Sequence, residues 1–139
     1  MLGRADGPPP AVDLTAERRN GDFVRRLIAD GWIDTCHDIS DGGLLVAAAE
    51  MAMAGNLGIC LEGPDDPGFW FGEDQGRYVL TTDDADALLA AADVACVPAM
   101  QIGITGGKGL SLLGGTKETA LAALRAANEG WLPGYMGGV

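Results

Sequence analysis

Two short segments of the chain hold most of the residue types that handle phosphates. The first is His37-Asp38-Ile39-Ser40-Asp41-Gly42-Gly43. It lies where an extended apolar stretch, Thr35 to Ile39, gives way to a helical pattern, so it reads as a strand-to-helix junction. The start of a helix carries unpaired N–H groups and partial positive charge, and Gly42 and Gly43 would let an anion approach the backbone. Asp38 and Asp41 are placed to hold Mg²⁺ that bridges such a phosphate, with Asp38 the candidate metal ligand. The plainer alternative is that Ser40 or Asp41 caps the helix and the two glycines only make a tight turn. The second segment is Phe71-Gly72-Glu73-Asp74-Gln75-Gly76-Arg77. Its two carboxylates, amide and guanidinium can coordinate metal, accept sugar hydroxyls and pair with phosphate. Its structural alternative is a helical turn leading into a strand, with Arg77 neutralising Glu73 or Asp74. Both segments flank expected strands, so they can converge.

Other features point to structure rather than chemistry. Gly106-Gly107-Lys108-Gly109 lacks the spacing of a phosphate loop and reads as a hairpin turn between two strands. Gly114-Gly115-Thr116-Lys117 reads as a helix cap. His37, alone at a strand end, reads as a hydrogen-bonded structural residue. No residue of the chain is assigned a catalytic role.

The elements that must position these segments follow from periodicity. Residues 1–13, with Gly7-Pro8-Pro9-Pro10, read as an extended linker, and residues 14–139 as one domain. A helix is expected over 14–30, with Phe23, Val24, Leu27 and Ile28 on one face and Gly31 as its stop; Gly21 costs it about 1 kcal/mol. A strand over 35–39 is followed by a helix to about Ala54, ended by Gly55. That helix has Glu50 as its only charge, so it should be covered on more than one side. Strands are expected over 57–61 and 77–82, with turn chemistry over 62–68. Thr82 should cap a helix whose first turn holds Asp83 and Asp84. Strands over 99–105 and 110–113 precede a last helix capped by Thr116 and ending near Gly130, with a tail broken by Pro133 and Gly134. The sum is an α+β fold (an α/β sandwich): a mixed sheet of about four or five strands with about four helices.

Composition narrows the function classes. The chain has 139 residues, 47% of them apolar, which suits one domain with a core. Nine basic residues face twenty acids, a net charge of −11, which argues against nucleic acid as a partner. Between Asp34 and Asp93 there are thirteen acids and the single base Arg77. The longest apolar runs, such as Leu44 to Ala49, are too short to span a bilayer, and no signal peptide is visible, so a cytoplasmic protein without a membrane partner is expected. Cys36, Cys60 and Cys96 show neither zinc nor disulfide spacing and read as buried reduced thiols.

The segment 37–44, followed by Ala49-Glu50-Met51-Ala52, resembles the C-terminal domain of a superfamily of ATP-using enzymes. That superfamily includes aminoimidazole ribonucleotide synthetase, thiamine-monophosphate kinase and selenophosphate synthetase. Phe71 to Tyr78, Arg18 to Val24 and Glu129-Gly130-Trp131-Leu132-Pro133 are similar to the second C-terminal domain of the phosphoribosylformylglycinamidine synthase family. The resemblance implies a reaction: formylglycinamide ribonucleotide, ATP and glutamine-derived ammonia give formylglycinamidine ribonucleotide, ADP and phosphate. It also implies upstream domains of the same synthetase, glutaminase and small accessory subunits as partners, and Mg²⁺ with ATP or ADP in the full enzyme. Asp38, Ser40, Asp41, Gly42, Gly43, Glu73, Asp74, Gln75 and Arg77 become candidate nucleotide or substrate contacts, at an auxiliary site. No ATP-binding half or glutaminase triad is visible, so the chain alone should be inactive. Two rival readings stay open: another ATP-using member of the superfamily, or a non-catalytic interaction domain.

Overall fold

The computed structural model describes residues 11–112 and 117–137. Asp13 starts the first helix, α1 (Leu14–Ala29), its carboxylate accepting from the N–H groups of Thr15 and Ala16 at 2.9 and 3.0 Å. Phe23, Val24 and Leu27 form the buried face, while Ile28 is half exposed. Gly31, at φ 73°, ends the helix, and the Trp32 N–H returns to the Leu27 carbonyl at 2.9 Å. The Cβ-free edge of Gly21 faces the Tyr78 hydroxyl; a Cβ there would lie 3.3 Å from it.

Strand β1 (Cys36–Asp38) leads into α2 (Gly43–Gly55), then β2 (Ile59–Leu61), the short α3 (Pro67–Phe71) and β3 (Tyr78–Leu80). Then come α4 (Ala85–Val94), β4 (Gly103–Thr105), β5 (Gly109–Leu112), β6 (Glu118–Ala120) and α5 (Leu121–Gly137). The class is α+β as expected, but the described strands divide between a two-stranded ribbon, β1–β3, and a four-stranded mixed sheet ordered β4-β2-β5-β6. The apolar helix α2 is indeed covered on two sides. Leu44, Ala47 and Ala48 pack with Ile39, Leu61, Trp70 and Val79, whereas Ala52 and Met53 pack with Leu121 of α5. A separate cluster joins α1 to α4 through Phe23, Val24, Leu27, Ile33, Leu88 and Ala92. No described helix is long and apolar enough to cross a membrane.

Several expectations need correction. Residues 106–108 do not form a hairpin turn, because β4 and β5 are not neighbours: β2 lies between them, antiparallel to β4 and parallel to β5. The loop therefore crosses the start of β2. The Gly106 N–H donates to the Gly58 carbonyl at 2.7 Å, and the Gly58 N–H to the Gly107 carbonyl at 3.2 Å. Alternating side chains fit either arrangement, so the pattern alone did not separate them. Asp84, not Thr82, caps α4, accepting from the Ala87 N–H at 2.9 Å; Asp83 and Asp84 precede the first turn, and the Thr82 hydroxyl instead accepts from the Asp84 N–H. Gly55 belongs to α2, and Asn56, at φ 50°, is its left-handed cap. Helix α5 does not stop near Gly130 but continues through Pro133 and Gly134. Strand β6 and helix α3 had no strong periodic signal. The expected cap at Gly114-Gly115-Thr116, and residues 1–10 of the expected linker, lie outside the described residues.

The loop crossing generates a test. A Cβ on Gly58 would lie 2.5 Å from the Gly106 carbonyl oxygen and 2.7 Å from both the Gly107 carbonyl carbon and the Gly109 oxygen, all backbone. Gly55, inside α2, has nothing within 4 Å of that position. Thermal unfolding should show Gly58→Ala destabilised by about 2 kcal/mol or more. Gly55→Ala should be neutral or stabilised by up to about 1 kcal/mol.

Candidate functional site

Antiparallel pairing brings the two chemistry-bearing segments together. Asp38 at the end of β1 pairs with Tyr78 at the start of β3. The chain leaving β1 is therefore beside the chain entering β3, and the Ile39 N–H donates to the Arg77 carbonyl at 2.9 Å. At the head of α2, Gly43 (φ 76°) lies so close to residue 71 that a Cβ would come within 2.6 Å of the Phe71 backbone. The Gly42 N–H donates to the Glu73 carboxylate at 2.9 Å, a contact between residues 31 apart in sequence.

That contact changes the reading of the helix start. Neither Ser40 nor Asp41 caps α2: its N-cap is Gly42, at φ 85°, with no side-chain cap of its own. Ser40 contributes its carbonyl, which accepts from the Gly43 N–H at 3.0 Å. The carboxylate that complements the positive end of α2 comes from Glu73 instead.

Arg77 is also occupied. Its guanidinium pairs with Asp74 at 3.3 Å, donates to the Phe69 and Gly72 carbonyls at 3.2 and 3.5 Å, and lies 5.5 Å from the centre of the Phe69 ring. This matches the structural alternative for Asp74, whereas Glu73 is drawn to Gly42. Helix α1 closes the far side of the loop. The Asn20 side-chain amide donates to the Gly76 carbonyl at 3.1 Å, and a Cβ on Gly76 would come within 3.0 Å of the Glu17 backbone. Asn20 and Glu17 carry no chemical signature that ties them to this loop, although Asn20 lies within the Arg18–Val24 segment.

The remaining candidates face solvent. Asp38, Ser40, Asp41, Asp74 and Gln75 are exposed. Among the described residues, no group of three or more His, Cys, Asp or Glu side chains converges to hold a metal ion. His37 is structural: its Nδ1 lies 2.6 Å from the Asp38 carbonyl and its Nε2 3.3 Å from Glu50. Two surface depressions, about 220 Å³ beside Cys60 and Gln101 and about 560 Å³ beside Asp22 and Arg25, include none of the candidates.

The thiols depart from expectation in one case. All three are free, with Cys36 and Cys60 half-buried but Cys96 exposed. Burial pushes the Cys36 thiol above the usual thiol range, and the Asp38 charge adds to the rise. A raised value means less thiolate at neutral pH, hence lower reactivity.

Two measurements check this geometry. Glu73→Ala should cost about 1 kcal/mol in thermal unfolding, the usual worth of a helix cap, while Gln75→Ala, which has no partner among the described contacts, should cost little. A thiol reagent at neutral pH should modify Cys96 well before Cys36, and Cys36 should gain on it only as pH rises above the ordinary thiol range. Equal rates would contradict the burial of Cys36.

Comparison with known proteins gives a consistent picture. The family described as AIR synthase related protein, C-terminal domain, matches residues 1–115. Phosphoribosylformylglycinamidine synthase subunit PurL of Rhodospirillum rubrum is 56% identical over 99% of this chain, which covers 19% of that protein. The same subunit of Granulibacter bethesdensis is 54% identical over 98% of the chain, again with 19% of its length covered. This chain thus spans about a fifth of the relatives it matches. Two solved structures share the fold. Thermotoga maritima PurL complexed with ATP superposes with a TM-score of 0.72 at 22% identity, covering 86% of this chain and 23% of that one. The complex with FGAR gives 0.71 at 18% identity, covering 89% and 23%. On the family match and the paired segments together, the chain belongs to the AIR synthase related protein family, as its C-terminal domain.

Proposed function

We propose that this chain is the C-terminal part of a phosphoribosylformylglycinamidine synthase subunit. The enzyme is an ATP-dependent ligase of purine biosynthesis that converts formylglycinamide ribonucleotide and glutamine-derived ammonia to formylglycinamidine ribonucleotide, with release of ADP and phosphate. The observation that carries this reading is the 56% identity to such a subunit over 99% of the chain. Solved relatives named as complexes with ATP, ADP and FGAR support it further. Residues 14–139 form the domain, and residues 1–13 link it to the upstream part of the synthetase. A cytoplasmic setting, and glutaminase and small accessory subunits as further partners, follow from the same role.

In this reading the segments 37–43 and 71–77 form the edge of a nucleotide site that the rest of the synthetase completes. Asp38, Ser40 and Asp41 are exposed and accessible to a ligand, with the Asp38 carboxylate 3.6 Å from His37 Nδ1. Glu73 and Arg77 hold the edge in shape through the Gly42 N–H and the Asp74 carboxylate. Magnesium fits only one mode here. The ion keeps most of its waters and binds through one or two carboxylates together with phosphate oxygens, and the exposed Asp38 offers such a carboxylate. An all-protein cage does not fit the dispersed acids. When bound, Mg²⁺ would neutralise phosphate charge against the acidic surface, while Asp38 would orient it.

The test uses a full-length synthetase subunit of the Rhodospirillum rubrum type carrying this chain in place of its matching fifth. That protein should form formylglycinamidine ribonucleotide, whereas the isolated chain should show no substrate-dependent ATP hydrolysis. Turnover by the isolated chain, or its absence in the full-length protein, would contradict the proposal. Within the full-length protein, Asp38→Ala should weaken Mg-nucleotide binding at least tenfold and Asp65→Ala should leave it unchanged, measured by calorimetry. Equal effects would make Asp38 structural.

A further inference from the structure

Helix α5 has two unlike halves. Its first turns are anchored: Leu121 is buried against Ala52 and Met53, Leu124 packs beside it, and the Arg125 guanidinium donates to the Met53 carbonyl near the end of α2. From residue 126 to residue 137 every side chain is exposed. Trp131 and Tyr135 are 67% and 74% exposed, yet one turn apart they stack, with ring centroids 5.3 Å apart and planes within 8°. Leu132 and Met136 continue the apolar surface, and no charged residue occurs from Gly130 to Gly137.

Such a segment is poorly suited to stand as a helix in water. Gly130, Pro133 and Gly134 all lower its intrinsic propensity, so packing must supply what propensity does not. A stacked Trp–Tyr pair loses little freedom on docking, and such residues dominate binding energy where they are desolvated. The absence of charge suits a permanent contact rather than a dissociable one, which would carry a polar rim.

Two bounds on the sequence say what covers it. The family match ends at residue 115, before α5 begins. The match to the synthetase subunits extends over 99% of the chain and therefore takes in α5. Helix α5 thus lies beyond the residues that the family model matches and within those that the synthetase subunits match, and the subunit it matches is about five times as long as this chain. We propose that the Trp131–Tyr135 face of α5 docks on the remaining part of the same synthetase polypeptide. This rests on the functional reading above, which supplies the partner.

Hydrogen exchange by mass spectrometry tests it, comparing the isolated chain with the full-length subunit carrying this chain as its matching fifth. Amides of residues 129–137 should exchange at least tenfold more slowly in the full-length protein. The variant Trp131→Ala/Tyr135→Ala should lose that protection, while Val94→Ala, altering another apolar residue that is 86% exposed, should retain it. Equal exchange in the isolated and full-length proteins would overturn the proposal. So would protection of the isolated chain that grows with its concentration, because the occupant would then be a second copy. The turnover of the full-length protein is read separately: product formation with unprotected α5 rejects the docking face alone, and failure to form product rejects the functional reading.

Discussion

The antiparallel register of β1 with β3 is the constraint on which the rest of the site depends. Each strand is only three residues long, so the ribbon contributes few hydrogen bonds of its own. Its importance is geometric. Antiparallel pairing sets the exit of one strand against the entrance of the other, which places residues 39–43 beside residues 71–77 without any long-range search among loops. Val79, at the centre of β3, fixes the face of the ribbon by packing with Ile39, Leu44 and Trp70. A slip of one residue would turn Val79 to solvent and separate Gly42 from Glu73.

Given that register, the approach of α2 to the loop is limited by a missing side chain. Gly43 has a positive φ and lies against the Phe71 backbone, so two independent reasons exclude larger residues there. The close approach is what lets Glu73 reach the Gly42 N–H. Its carboxylate lies where an incoming phosphate would otherwise accept from the same donor, so a phosphate at that donor must first displace Glu73. One segment therefore closes the helix start that the other opens.

Much of this was legible in the sequence, and for identifiable reasons. Helix α1 announced itself through its 3.6-residue apolar period and its stop at Gly31, and α2 through an almost uncharged run that had to be covered on both sides. Residues 37–43 marked a strand-to-helix junction because an extended apolar stretch gives way there to a helical pattern. The partners of each acid were less legible. Which of Glu73 and Asp74 would meet Arg77 depends on the path of the backbone from the end of α3 to the turn at Gln75-Gly76, and composition is blind to it. The crossing of residues 106–108 over β2 was hidden because alternation reports which face a residue occupies and not which strand lies beside it. The continuation of α5 past Pro133 was hidden because Gly130, Pro133 and Gly134 all argue locally for a stop.

The acidity of the molecule adds a physical condition on the nucleotide role. Asp38, Asp41 and Asp74 all face solvent near the junction, in a chain of net charge −11, and the one cation of that segment, Arg77, is already paired. A polyphosphate approaching this edge would meet negative potential within a screening length of about 8 Å at physiological salt. The helix start offsets only about half a charge, and Glu73 already draws on it. Nucleotide binding at this edge therefore requires positive charge from outside the segment. In the proposed reading a divalent cation arriving with the phosphates would supply it, with Asp38 as its contact, and basic residues of the remaining synthetase would supply any further balance. The same acidic edge that would repel a free nucleotide would then favour the metal complex, which makes the surface charge a selector for the form of the ligand.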